Sequence, residues 1–288
     1  IEYVSSWFGL SLIAAVAVPV NTAYKRDEMA YILNNSGAKG LVSDPSLADV
    51  AGAAADLASS VEIRLLRGAD GAVPDGWTDF GATHANSEPL ASLPEISPHD
   101  ISMLVYTSGT TGNPKGVQVT HLMYVAAGQG FAHWTEATPD DRFFTCLPYY
   151  HANIQYYSTM GALAAGSSLV VTDRFSASRF WGQVREAKAT IVNFIGMMMP
   201  VLAKNEPSPG DKDNTVRLFY GSPSFPPEFL ADFQDRFDTD IIVGFGMTVE
   251  MQQCLLPSPT NCKFQESHSS IQQHTFNNTL RDRVSLAP

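Results

Sequence analysis

Between Tyr106 and Val117 the chain reads YTSGTTGNPKGV, and no other stretch constrains it so tightly. Thr107, Ser108, Thr110 and Thr111 are interleaved with Gly109, Gly112 and Gly116, and Pro114 leads into a single cation, Lys115. The apolar run Ile101–Tyr106 before it has the length of a strand, and Val117–Thr120 after it alternates as a second strand would. A loop of glycines and hydroxyls between two strands gathers backbone N–H groups and side-chain donors into one concavity, which suits a polyphosphate. Glycine admits φ > 0 and close approach of a ligand, while the lysine adds a mobile positive charge. Most Ser/Thr/Gly clusters are plain surface turns, but a plain turn leaves this density and the enclosed lysine unexplained. The Walker loop is excluded, because it needs Gly-Lys-Ser/Thr opening a helix. Here Lys115 lies between Pro114 and Gly116 and leads into a strand.

Around this stretch the chain alternates between strand and helix patterns. Glu2–Val16 predicts a helix passing into an extended Val18-Pro-Val20. Lys25–Asn35 predicts an amphipathic helix ending near Gly37. Strands at 39–43 and 61–66 flank an Ala-rich helix at 47–59. Residues 68–98 lose periodicity and fill with Gly, Pro, Asp and Ser, as in a surface connection or a break between sub-domains. After the loop, Thr120 can cap a helix reaching about His133. Strands follow at 142–147, 168–172, 190–194, 216–220 and 240–243, with helices at 153–165, 176–187, 197–204 and 226–236. This alternation is the sign of a doubly wound α/β sheet. Residues 251–288 are Gln-, Ser- and Asn-rich without a helix or strand period, and predict a divergent, poorly packed tail.

The net charge of −11 over 288 residues, without a basic block, argues against a nucleic-acid surface. Cys146, Cys254 and Cys262 lack metal-ligand spacing and suggest neither a disulfide framework nor a zinc site, so reduced, cytoplasmic thiols are expected. The longest apolar run, Phe8–Val20, is too short to cross a bilayer and predicts a buried helix, not an integral membrane segment. Histidines 84, 99, 121, 133, 268 and 274 show no ligand spacing. Met197–Met199 suit a core or pocket wall, and Asp173 and Arg174 a solvated turn.

In a doubly wound sheet ligands bind beyond the carboxyl ends of strands, and three clusters occupy such ends: Leu147-Pro-Tyr-Tyr-His151, Tyr220-Gly-Ser-Pro223 and Gly244-Phe-Gly-Met-Thr248, with Glu250 just beyond. Together with the glycine-rich loop they resemble the adenylate-forming superfamily of acyl-CoA synthetases, luciferases and peptide-synthetase adenylation domains. YTSGTTGNPKGV is similar to its phosphate-binding signature, LPYYH to its Leu-Pro-x-x-His element, FYGSPSFPPEF to its adenine-packing Gly-Gly-Ala-Pro region, and GFGMT to its Tyr-Gly-Met-Thr-Glu element. The resemblance runs from about Ile1 to Thr248 and is nearest to acyl-CoA ligases of the crotonobetaine/carnitine type.

That resemblance implies the layered αβαβα large domain of the acyl-CoA synthetase/luciferase type, incomplete at both ends. Residues 1–250 would be part of an N-terminal adenylation domain, and the C-terminal lysine domain would be absent. It also implies ATP, Mg²⁺ and a carboxylic acid as ligands, with CoA as co-substrate; a homo-oligomer is left open. Thr107, Ser108, Gly109, Thr110, Thr111, Gly112 and Lys115 would hold phosphates. His151 would stand beside the acyl carboxylate, Gly221, Ser222 and Pro223 beside adenine, and Gly244, Phe245, Gly246, Met247 and Thr248 along the nucleotide. Lys115, His151, Thr248 and Glu250 would be catalytic, and Thr107 and Glu250 would meet the metal.

The expected reaction is ATP-dependent formation of an acyl-adenylate. Val249 separates Thr248 from Glu250, displacing the carboxylate by one position, and with the lysine domain missing turnover is expected to be impaired. Two other functions compete. One is a nucleotide- or acyl-binding fragment without catalysis. The other is an amino-acid adenylating domain, which usually carries an Asp after the Leu-Pro element; Ala152–Gln155 supplies none.

Overall fold

A computed structural model of the chain describes residues 2–69, 73–107, 113–245 and 254–257. They form two compact units, one built from residues 1–130 and 148–160, the other from 131–147 and 161–288. Residues 68–98 fall inside the first of these.

The first unit opens with helix α1 (Glu2–Leu12), shorter than predicted. Ala14 adopts a positive φ of 57°, which an L-residue in a right-handed helix cannot hold, so the helix stops there. Leu12, Ile13 and Val16 are consequently exposed. The chain then runs extended, and Ala17 N–H donates to the Ser102 carbonyl at 3.0 Å. Helix α2 (Arg26–Ser36) carries Asp27 and Glu28 in its first turn and ends on Gly37 at φ 64°. The Glu28 carboxylate accepts from the Lys25 N–H at 2.9 Å, closing one of the free donors at the helix start. Its Met29, Ala30 and Leu33 pack with Leu41 of β1 (Gly40–Ser43) and with Ala51, Ala54 and Ala55 of α3 (Ala48–Ala55). Alanine on the facing helix allows that close approach.

Strand β2 (Ile63–Leu66) runs parallel to β1. Within 68–98, which lacked periodicity, lie a two-residue strand β3 (Thr78–Asp79), parallel to β2, and the helix α4 (Phe80–Ala85). Both are too short to leave a pattern in sequence. The Asp79 carboxylate caps α4 by accepting from the Ala82 N–H. Strands β4 (Ile101–Thr107) and β5 (Lys115–Thr120) form an antiparallel pair. Thr120 Oγ1 accepts from the Met123 N–H at 3.3 Å and starts α5 (His121–Trp134), the cap the sequence predicted.

In the second unit six strands lie in the order β11-β10-β9-β8-β6-β7. These are β6 (Arg142–Thr145), β7 (Ser168–Val171), β8 (Ile191–Ile195), β9 (Leu218–Ser222), β10 (Asp240–Phe245) and β11 (Cys254–Pro257), and all pairings are parallel except that of β11. Parallel strands covered on both faces read as continuous apolar runs. Accordingly Phe143, Phe144, Ile191, Val192, Phe194, Leu218, Phe219 and Tyr220 are all buried. Helix α7 (Phe180–Ala187) begins later than the predicted Ser176, and Met198 and Met199 of α8 (Met198–Ala203) enter the core. Met197, expected like them in the core or a pocket wall, is 63% exposed and outside the core. Helix α9 (Pro227–Phe237) starts on the prolines that favour a first turn and buries Leu230, Phe233 and Phe237.

Two elements depart from prediction. The helix expected at 153–165 is a π-helix over Ile154–Thr159, continued by the short α6 (Met160–Ala165). The tail, expected to be divergent and poorly packed, contributes β11, paired antiparallel to β10 from Phe245↔Cys254 to Ile242↔Pro257. A four-residue edge strand ending in proline is too brief to register as periodicity. The remaining residues of 251–288 lie outside the described part.

Candidate functional site

Thr107, the last residue of β4, and Lys115, the first of β5, face each other in register and flank the glycine-rich stretch in sequence. Alternating apolar residues Met103, Val105 and Val119 anchor the two strands in the interior. The hairpin is also tied to α2. The Tyr106 hydroxyl donates to Asn35 Oδ1 at 2.6 Å, and the Tyr31 hydroxyl donates to the Pro114 carbonyl at 3.3 Å. Gly116 lies under the Tyr106 ring, which a Cβ there would meet at 3.1 Å. Thr107 is half-buried, while Lys115 is exposed and presents its charge at the mouth of the hairpin. Ser108, Gly109, Thr110, Thr111 and Gly112 lie outside the described residues.

His151 ends a tight turn in the same unit, its N–H donating to the Pro148 carbonyl at 3.0 Å. Tyr149 inside that turn stacks on Tyr3 with ring centroids 4.6 Å apart. The Tyr149 carbonyl accepts from the Tyr3 hydroxyl at 3.1 Å and from Gln155 Nε2 at 2.5 Å. Tyr150 packs against the His151 imidazole, with centroids 4.5 Å apart. His151 is exposed as a residue, yet partial desolvation of its imidazole disfavours imidazolium and lowers its pKa from the usual histidine value.

In the second unit Gly221, Ser222 and Pro223 stand at the carboxyl end of β9, joined through a cis Ser222–Pro223 peptide. Val243 of β10 pairs with Gly221, so Gly244 and Phe245 emerge beside them at the end of the neighbouring strand. Gly221 is buried against β8, and a Cβ on it would fall 1.9 Å from the Phe194 carbonyl oxygen. The Ser222 carbonyl accepts from the Gly196 N–H at 2.9 Å, fixing the strand end. Gly246, Met247, Thr248 and Glu250 lie outside the described residues.

Thr107 and Lys115 are thus brought together in one unit, as are Gly221–Pro223 with Gly244 in the other. The residues that sequence reasoning missed are those that hold these groups: Tyr31, Asn35 and Tyr106 behind the hairpin, and Tyr3, Tyr124 and Gln155 behind the His151 turn. Each contacts a partner distant in sequence, so no spacing rule signals it. Among the described residues no group of three His, Cys, Asp or Glu side chains could hold a metal ion. No helix among them is long and apolar enough to cross a membrane. Cys146 is a buried free thiol, its pKa pushed up by burial to about 11.

This fold is that of solved acyl-CoA ligases. The chain superposes with a TM-score of 0.77 on an anthranilate CoA ligase bound to anthranoyl-AMP, at 22% identity over 88% of this chain and 49% of that one. It superposes at 0.73 on ATP-bound MatB from Rhodopseudomonas palustris, at 25% identity over 90% of this chain and 50% of that one. In sequence it matches the AMP-binding enzyme family over residues 1–273, and it belongs to that family. Among curated relatives it is 34% identical over 257 residues to the crotonobetaine/carnitine–CoA ligase of Escherichia coli O157:H7 (strain EC4115), covering 86% of this chain and 48% of the relative. The corresponding ligase of Shigella sonnei (strain Ss046) is 33% identical over the same span. The chain spans about half the length of the curated relatives it matches.

Proposed function

We propose that this chain activates a carboxylic acid with ATP, forming an acyl-adenylate as the first half of acyl-CoA ligation. The observation that carries this is the hairpin. It sets Lys115 opposite Thr107 at the two ends of the glycine- and threonine-rich loop, in a chain belonging to the AMP-binding enzymes. In the reaction a carboxylate oxygen bonds to the α-phosphorus of ATP and the bond to the bridging oxygen breaks, releasing pyrophosphate. Lys115 and the loop donors Thr107–Gly112 hold the β- and γ-phosphates and take up charge as pyrophosphate departs. His151, uncharged near neutral pH, lies against the acyl carboxylate without trapping it as an ion pair. Gly221, Ser222 and Pro223 flank adenine, Gly244 to Met247 continue that wall, and Thr248 meets the α-phosphate.

Thr107 and Glu250 would be the protein contacts of a magnesium ion accompanying ATP, which when bound would neutralise phosphate charge. Transfer to CoA is proposed for the whole protein, in a cytoplasmic setting. The names of the relatives put crotonobetaine- and carnitine-like acids first among candidate substrates. ATP–pyrophosphate exchange with a panel of carboxylic acids that includes these two tests the proposal. Acid-dependent exchange supports it, and exchange no greater than with ATP alone for every acid contradicts it.

A further inference from the structure

The π-helix over Ile154–Thr159 turns Gln155 wholly inward, with 0% of it exposed. π-turns inside helices are uncommon and often sit at functional sites. A buried carboxamide must satisfy both of its ends, and Gln155 does so with partners that dictate its orientation. Nε2 donates to the Tyr149 carbonyl, which can only accept, and Oε1 accepts from the Tyr124 hydroxyl at 2.6 Å. Burial raises the phenol pKa of both Tyr124 and Tyr3, keeping them protonated as donors. The Tyr149 carbonyl therefore receives two hydrogen bonds from directions fixed by the interior. Two residues further on, His151 closes the turn.

We propose that Gln155 is a positioning residue that fixes the Tyr149 carbonyl and, through the turn it closes, the place of the His151 imidazole against the carboxylic acid. This rests on the function proposed above for its effect on substrate, but not for its effect on His151. Replacing Gln155 with Met keeps nearly the same length and volume but removes the donor to the Tyr149 carbonyl. Replacing Tyr3 with Phe removes the second, 3.1 Å donor and the long 3.5 Å contact that the Tyr3 hydroxyl accepts from Gln155 Nε2, and is the milder change.

The test uses the full chain. The His151 imidazole is followed by two-dimensional NMR, assigned with His151→Gln, and pyrophosphate exchange is measured beside it. In Gln155→Met the His151 resonances should shift and titrate nearer the ordinary histidine range. KM for the acid should rise about tenfold, the worth of one well-formed buried hydrogen bond, while KM for ATP stays within about twofold. Tyr3→Phe should move His151 in the same direction by less, at an unchanged melting temperature. A general loss of structure would move both KM values together. Should His151 resonate and titrate identically in the unaltered chain, Gln155→Met and Tyr3→Phe, the inference is overturned. An unaltered chain without acid-dependent exchange would overturn the proposed function alone, since the NMR measurement stands independently of turnover.

Discussion

Gly221 shows how a single position can be marked in a sequence while its reason stays hidden. The Tyr-Gly-Ser-Pro cluster signals a strand end, but the requirement for glycine comes from β8, whose Phe194 carbonyl would lie 1.9 Å from any Cβ. That constraint depends on the register of two strands far apart in the chain, which no local pattern encodes. Gly221→Ala is expected to lower stability in urea by about 1–3 kcal/mol or more, the usual cost of forcing atoms into a packed interior. An unchanged midpoint would mean the backbone yields freely there.

Asp141 is a second case. Burial opposes its ionisation, but hydrogen bonds from Arg217, Thr190 and the Thr138 N–H outweigh burial and hold its carboxyl well below the usual carboxylate range. A folded pKa below the unfolded one gives stability that is complete above about pH 4 and drains away as pH falls through the folded value. Asp141→Asn should therefore destabilise the protein at pH 7, by about 1–3 kcal/mol for a hydrogen-bonded charge. The gap should narrow in melts taken at progressively lower pH, and a gap independent of pH would refute the assignment.

Among the elements, those that announce themselves by composition were legible and those made by packing were not. The strands around the glycine-rich loop follow from apolar alternation, and α2 and α9 follow from their end signals, Gly37 and Pro227. The π-helix has the same apolar residues an α-helix would show, so only hydrogen bonding distinguishes it. Strand β11 escaped notice because four residues carry no period.

The hairpin itself was legible, whereas its attachment to α2 through Tyr106 and Tyr31 was not, since Asn35 lies 71 residues from Tyr106. Tyr106→Phe tests that attachment. The lost bond is exposed, so stability should fall by no more than about 1 kcal/mol. Loosening the base of the loop should nonetheless raise KM for ATP several-fold while leaving KM for the acid in place. Equal changes in both would assign Tyr106 a general structural role.

Across the whole molecule, the family was legible because its signature is long and its elements recur in order. The support behind those elements is spread over contacts distant in sequence. The chain carries a net charge of −11, so its overall field repels a polyanion such as ATP and the local cation must offset that repulsion. Lys115 is exposed, and salt screens exposed charges over about 8 Å at physiological strength. Its contribution should thus be largest at low salt and shrink as salt is added.

ATP–pyrophosphate exchange driven by an accepted acid, compared between the unaltered chain and Lys115→Ala at low and physiological salt, is the most direct measurement. The account predicts a loss of at least about tenfold in Lys115→Ala, the equivalent of about 1.4 kcal/mol at the transition state, and a smaller loss at the higher salt. Equal exchange from the two proteins at both salts would contradict it, because the loop would then not be gripping the phosphates of ATP.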